Sequence, residues 1–218
     1  MYSQGDTART YYSEKLKRHG ATARGVDWPS AASQYLRFVQ LLKVCDFSGP
    51  FSINDFGCGY GALLEYFEFR PPAVAIRYHG IDISPPMVEA AQLRWMHDKQ
   101  AKFSIGSECP DVADYCLASG VFNVKLDWPV EAWESYIKSI LIDLCAKSRR
   151  GFAVNFMLPL EQPSGEHRLY RTLPDRWINL LEELGCSVEQ ISDYGLQEFT
   201  LLARIPASHQ ALPDQTSA

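Results

Sequence analysis

A chain of 218 residues, 46% hydrophobic and 22% charged, has the length of one well-buried domain rather than two and the balance of a globular protein. Its net charge of −5 argues against a nucleic-acid partner, which draws a basic patch to screen phosphates. No stretch approaches the roughly 20 apolar residues that span a bilayer, and the polar start Met1–Thr10 does not read as a secretory signal, so the expected setting is the cytoplasm.

Thr10 to His19 carries a helical pattern, and a glycine-punctuated link, Gly20 to Gly25, leads through Trp28-Pro29-Ser30 into a second helix over Ala31 to Val44. Tyr35, Phe38, Leu41 and Leu42 recur there at helical spacing, with Ser30 placed as the N-cap. Phe51 to Phe56 reads as a strand, Gly57 to Gly61 as the turn out of it, and Ala62 to Phe69 as a helix stopped by Pro71-Pro72. Next come a strand over Arg77 to Ile83, a helix over Pro86 to Gln100 entered through Ser84-Pro85, and a short strand at Lys102 to Gly106. A buried strand at Tyr115 to Ala118 precedes a long helix, Val130 to Lys147. An apolar strand, Gly151 to Leu158, is followed by a helix over Asp175 to Leu184 that ends at Gly185. Two last strands, Ser187 to Ser192 and Glu198 to Ile205, are separated by a turn at Asp193-Tyr194-Gly195.

Strands alternating with helices imply right-handed crossovers and a parallel sheet covered on both faces. The expected architecture is therefore three-layer α/β, seven-stranded and mostly parallel, with the C-terminal hairpin reversed. The polar tail over 207–218 is expected to be disordered. Two basic clusters, Lys15-Leu16-Lys17-Arg18 and Ser148-Arg149-Arg150, fall near expected helix ends and read as solvated faces. The six cysteines, Cys45, Cys58, Cys109, Cys116, Cys145 and Cys186, include no C-x-x-C pair, so neither a metal site nor a disulfide framework is expected.

The densest functional signal is Asp55-Phe56-Gly57-Cys58-Gly59-Tyr60-Gly61, where an apolar strand hands over to a helix. Alternate glycines permit a tight turn and close approach of a ligand to the backbone, and the following helix aims free N–H groups at that ligand. Gly80-Ile81-Asp82 places a carboxylate at the end of the second strand, where an acid bonds the hydroxyls of an adenosine ribose. The adenosine could belong to a nicotinamide dinucleotide or to S-adenosylmethionine, since Gly57, Gly59 and Ala62 also satisfy the dinucleotide pattern. Asp55 before the loop, the long segment ahead of the first strand, and the closing hairpin tilt the balance to S-adenosylmethionine.

With Asp82, this loop resembles the first two signature motifs of class I S-adenosylmethionine-dependent methyltransferases, whose sheet is Rossmann-like. Ala113 to Asn123 is similar to their fourth-strand motif, and the element order over 51–205 matches theirs. The resemblance implies that the loop Gly57-Cys58-Gly59-Tyr60-Gly61 passes beneath the methionine portion, with Asp55 helping to hold its ammonium. It places Asp82 on the ribose, Ile83 against adenine, and Ser107 and Glu108 near adenine's amine, although the family's usual Gly-Asp pair is missing there. Ala118, Ser119 and Phe122 would line the floor beside the reactive methyl. Residues 1–50 would form a helical cap over the site of a methyltransferase domain spanning 51–206.

The acceptor is less legible. Neither the Asp/Asn-Pro-Pro-Tyr motif of amino-group methylation nor the Pro-Cys pair of cytosine methylation is present, and the acidity favours a small-molecule acceptor with an oxygen or nitrogen nucleophile. Tyr12 and Trp28 could wall the site from the N-terminal segment, and Arg37 could pair with the methionine carboxylate. The loop Pro159 to Thr172 is long for such a fold and supplies His167 as a candidate base and Tyr170 as a contact. Phe122, Asn123 and Asn155 lie near the ends of strands, where open α/β sheets bind ligands. The chain is expected to act as a monomer or homodimer. A nicotinamide-dependent oxidoreductase, or a binding protein without transfer activity, stays open on the sequence.

Overall fold

The computed structural model describes residues 4–161 and 167–206; the tail expected over 207–218 lies outside them. The chain begins with helix α1, Gln4–His19, a short 3-10 turn at Ala23–Val26, and helix α2, Ala31–Leu41. Ser30 caps α2, its hydroxyl accepting the backbone N–H of Ser33 at 3.1 Å. There follow β1 (Phe51–Phe56), α3 (Ala62–Phe69), β2 (Ile76–Asp82), α4 (Pro85–Arg94), β3 (Ala101–Ile105), β4 (Ala113–Ala118), α5 (Val130–Ala146), β5 (Ser148–Met157), α6 (Asp175–Glu183), β6 (Ser187–Ile191) and β7 (Glu198–Arg204).

The strands form one sheet in the order β3-β2-β1-β4-β5-β7-β6. The pairings β1–β2, β2–β3, β1–β4 and β4–β5 are parallel, and β7 alone runs backwards between β5 and β6. The chain works outward from β1 to β3 and then returns to lay β4 on β1's other side. The crevice beyond the carboxyl ends of β1 and β4 is the topological switch point, where open α/β sheets bind their ligands.

Period-two alternation builds the core on both faces. In β5, Phe152, Val154 and Phe156 point to one face while Ala153 points to the other. On the first face Phe156 stacks on Phe122, Trp177 and Phe199 with centroids 5.1, 5.5 and 5.4 Å away. On the second, α2 and α3 bury Phe38, Leu41 and Leu63 against Phe51 and Tyr115. The expected cap over 1–50 thus divides in two. Helix α1 lies at the strand ends, where Ser13 and Ser84 hydroxyls meet at 2.9 Å, whereas α2 packs into the sheet's core.

Helix α1 begins at Gln4 rather than at the expected Thr10, and two further boundaries shift for identifiable reasons. Helix α4 stops at Arg94 rather than Gln100, because the Trp95 ring turns inward and packs where a Cβ on Gly61 would sit, 2.6 Å from its Nε1. Strand β5 starts at Ser148, three residues early. The basic pair Arg149 and Arg150 is exposed, as expected of a solvated face, but lies on the strand, 3.8 and 3.9 Å from Asp114 of the neighbouring strand. Among the described residues, no helix is long and apolar enough to cross a membrane.

Candidate active site

The loop after β1 turns through three glycines with left-handed φ, 75° at Gly57, 56° at Gly59 and 80° at Gly61. It is pinned to β2, with the N–H groups of Gly57 and Cys58 both donating to the Ile81 carbonyl, at 2.7 and 3.0 Å. Asp82 completes the clamp. One carboxylate oxygen accepts the Gly59 N–H at 2.9 Å and the other the Ser84 N–H at 2.8 Å. Its second lone pairs remain available to a ligand.

Above this loop lies a cavity of about 580 Å³, in the range of small-ligand and cofactor sites. Asp55, Gly57, Cys58, Gly59, Asp82, Ile83, Ser107 and Ser119 line it, as do Tyr12 and Trp28 from the N-terminal segment. Val26, Met87, Val121, Trp133 and Tyr136, which carry no motif, supply apolar wall. Two buried carboxylates therefore face one enclosure. Burial pushes the Asp55 carboxyl up to about 7, although the Tyr78 hydroxyl donates to it at 2.6 Å, and the nearby Asp82 charge adds to the rise. Burial also raises Asp82, against the lowering effect of the Ser84 and Gly59 N–H groups. Such a pair suits a ligand bearing positive charge beside a ribose. Ser119 adds a buried hydroxyl oxygen without a hydrogen-bond partner, poised for a polar group.

A second cavity, of about 770 Å³, adjoins the first. Tyr12, Val26, Trp28, Gly120 and Val124 line both. The Trp28 ring at this wall is held by a closed chain of contacts. It lies so near Gly120 that a Cβ there would come within 2.1 Å of it. The Gly120 N–H donates to Asn155 Oδ1 at 2.7 Å, and Asn155 Nδ2 donates to Glu198 Oε2 at 2.9 Å. Arg37 grips the same carboxylate with Nε, at 2.8 Å, and with Nη2. The guanidinium then lies 3.8 Å from the Trp28 ring centroid, a cation–π contact that closes the circuit.

Several residues expected at the site are spent elsewhere. Arg37 lines only the second cavity and is committed to Glu198, so it is not a free cation for a methionine carboxylate. Ala118 and Phe122 are completely buried in the core cluster of Phe152, Val154 and Phe156 and line neither cavity. Asn155 is a strut within the circuit. Tyr170 is buried, with its hydroxyl on Glu134 at 3.0 Å. Glu108 is exposed and lines neither cavity. Gly61 also lies off both linings, and the Trp95 ring explains its glycine. His167 lines only the second cavity, is 75% exposed, and faces the equally exposed Asp127 at 3.6 Å, which is not the buried, tuned setting of a general base. Asn123 does line the second cavity, and both its side-chain amide atoms are buried without a hydrogen-bond partner among the described residues. Leaving such groups unpaired costs about 1–3 kcal/mol each.

A family model described as a methyltransferase domain matches residues 54–127, from the middle of β1 past the end of β4. The Mycobacterium tuberculosis protein Rv1506c, whose name classes it with the methyltransferases, is 41% identical over 165 residues, which are 75% of this chain and 98% of that protein. The chain belongs to the class I S-adenosylmethionine-dependent methyltransferases. That membership closes the nicotinamide alternative and gives this methyltransferase its cofactor. Solved structures show the same fold at lower identity. The magnesium protoporphyrin IX methyltransferase of Synechocystis, with bound SAH, superposes with a TM-score of 0.65 at 18% identity, covering 92% of this chain and 99% of that one. The mitomycin 7-O-methyltransferase gives 0.61 at 16%, covering 93% and 68%. Human N-acetylserotonin methyltransferase, in complex with SAM, gives 0.55 at 19%, covering 91% and 67%.

Proposed function

We propose that this methyltransferase acts on the oxygen or nitrogen of a small molecule, with S-adenosylmethionine in the first cavity and the acceptor in the second. The observation that carries the reading is the shared wall, since two enclosures that meet at Tyr12, Trp28, Gly120 and Val124 can bring two ligands together out of water. The structural neighbours that act on small molecules by name, mitomycin and N-acetylserotonin, support it.

In this reading Asp82 holds the ribose, Asp55 the cationic amino-acid end, and the backbone of Gly57 to Gly59 the space between them, with Ile83 and Ser107 along the adenine. Bound there, S-adenosylmethionine would supply an electrophilic methyl group, with S-adenosylhomocysteine as the thioether product. Tyr12 keeps its proton, because burial lifts its phenol above the ordinary value and the Asp27 charge adds to the rise. It therefore donates hydrogen bonds and does not serve as a base. Trp28 and Val124 keep water from the junction, and Asn123 offers a donor and an acceptor to the incoming molecule. After transfer the acceptor's proton would pass to solvent water.

Calorimetry with S-adenosylhomocysteine, followed by incubation with labelled S-adenosylmethionine and a fractionated cell extract, tests this directly. Label should appear in the low-molecular-weight fraction. Label confined to the nucleic-acid or protein fractions, with cofactor binding intact, would overturn the small-molecule assignment.

A further inference from the structure

The second cavity has a charge pattern at odds with the chain that contains it. The protein is acidic overall, at −5, yet both carboxylates on this lining are already neutralised. Glu198 is paired with Arg37, and Asp27 with Lys15 and the Tyr11 hydroxyl. Two guanidinium groups on the same lining, Arg168 and Arg171, have no carboxylate partner among the described residues. Arg171 donates one N–H to the Leu158 carbonyl at 2.9 Å, and its other donors have no hydrogen-bond partner among the described residues. Arg168 lies over the Tyr11 ring, 5.5 Å from its centroid.

The backbone carrying these arginines is fixed. The N–H groups of Lys125 and Leu126 both donate to the Arg168 carbonyl at 3.0 Å, the Tyr170 N–H to the Asn123 carbonyl at 2.8 Å, and the Thr172 N–H to the Met157 carbonyl at 3.0 Å. The segment it leans on is strained, with Leu126 at φ 54°, and Asp27 across the cavity stands at φ 64°. Left-handed conformations in residues other than glycine persist only where surrounding contacts hold them, and they concentrate at ligand sites. The rest of the lining is mainly apolar, with Leu126, Met157, Leu160 and Leu169 among it, and the unpartnered Asn123 amide is buried there.

Building on the two-cavity reading, we propose that the acceptor is an organic oxyanion on an apolar body, a carboxylate or phosphate monoester whose charged end sits on Arg168 and Arg171. Two guanidinium groups can fork a carboxylate or phosphate with charge-assisted bonds. The apolar wall takes the hydrocarbon frame, and Asn123 pairs with a polar group along it. Exclusion of cationic amines follows from the same two charges.

The test titrates 2-naphthoate, 2-naphthyl phosphate and the neutral 2-naphthamide into the full-length protein by calorimetry, with and without saturating S-adenosylhomocysteine. At least one anion should bind about tenfold or more tightly than the amide, as a forked, partly desolvated charge contact provides, and the better of the two identifies the oxyanion. In the Arg168→Gln/Arg171→Gln double variant that preference should vanish, with S-adenosylhomocysteine affinity and melting temperature unchanged. Equal binding of anions and amide, no binding of any probe up to ~10 mM, or a preference that survives the double variant would overturn the proposal. Failure of S-adenosylhomocysteine to bind the wild-type protein would count against the cofactor reading instead, because the anion preference is read in its absence as well.

Discussion

The two cavities are walled by different kinds of chain. The first rests on the ends of β1, β2 and β4, where the backbone itself makes the site. Glycines with left-handed φ, N–H groups tied to Ile81 and Asp82, and two buried carboxylates fill a short stretch of sequence. The second is assembled mainly from side chains of seven separate segments, around Lys15, Trp28, Arg37, Asn123, Met157, Arg168 and Glu198. A site made of backbone restricts residue types and so leaves a motif. One made of side chains from distant segments restricts only shape and charge, and it can change its ligand without disturbing the fold.

The sharpest way to break this contrast is at Glu198, where the second cavity's wall is tied to the first. Replacing Glu198 with Ala leaves the Arg37 guanidinium buried without its partner, a loss of about 3–5 kcal/mol. Thermal denaturation should show a drop of many degrees. A change within about 0.5 kcal/mol would mean that the circuit is decorative and that Trp28 is held by packing alone.

A smaller effect is expected at Asp82. Asp82→Ala should weaken S-adenosylhomocysteine binding by about 1.5–3 kcal/mol for each lost bond to a charged group, upward of tenfold in the dissociation constant. The same change frees the Gly59 and Ser84 N–H groups, so Asp82→Asn is the informative companion. It keeps one acceptor and should lie between the two. Cofactor affinity changed less than threefold by Asp82→Ala would remove this residue from the ribose.

The mildest expectation concerns pH. Asp55, raised to about 7 by burial, is half protonated near neutrality, and a cationic ligand binds best to its ionised form. S-adenosylmethionine affinity should therefore rise with pH and level off above 7, falling up to tenfold per unit below it, about 1.4 kcal/mol. Folding stability runs the other way, because a carboxyl raised in the folded state costs stability as pH climbs from the ordinary carboxylate range to 7. Calorimetry from pH 5.5 to about 8 on wild type and Asp55→Asn checks both signs. A profile unchanged by the substitution would assign the titration to another group.

Much of the first cavity was legible because its signals are local. The strand, the glycine loop and the acid at the end of the next strand stand in a fixed order, and all but Gly61 meet in space. Gly61 belongs to the same motif, but its missing side chain makes room for Trp95, at the end of a helix expected to run further. Ala118, Phe122 and Asn155 stand near the right strand ends yet turn into the core or the circuit. Nearness to a strand end in sequence does not say which face a side chain takes. Glu198 carries a signal of its own, a lone carboxylate opening the mostly apolar run Phe199 to Ala203, since a charge enters such a strand only with a partner. For Arg168 and Arg171 no local signal exists, because their significance comes from carboxylates already claimed far away in the chain.

The Arg37–Glu198 pair, finally, joins residues 161 positions apart, and this orders the birth of the enzyme. The segment bearing Trp28 and Arg37 leaves the ribosome well before the strand bearing Glu198. Until that strand inserts beside β5, the arginine has no counter-charge and the tryptophan no clamp. A nascent chain can thus assemble its early strands and glycine loop while the partition between the two chambers is still missing. The partition between the chambers thus waits on synthesis past residue 198, because it depends on a highly non-local contact.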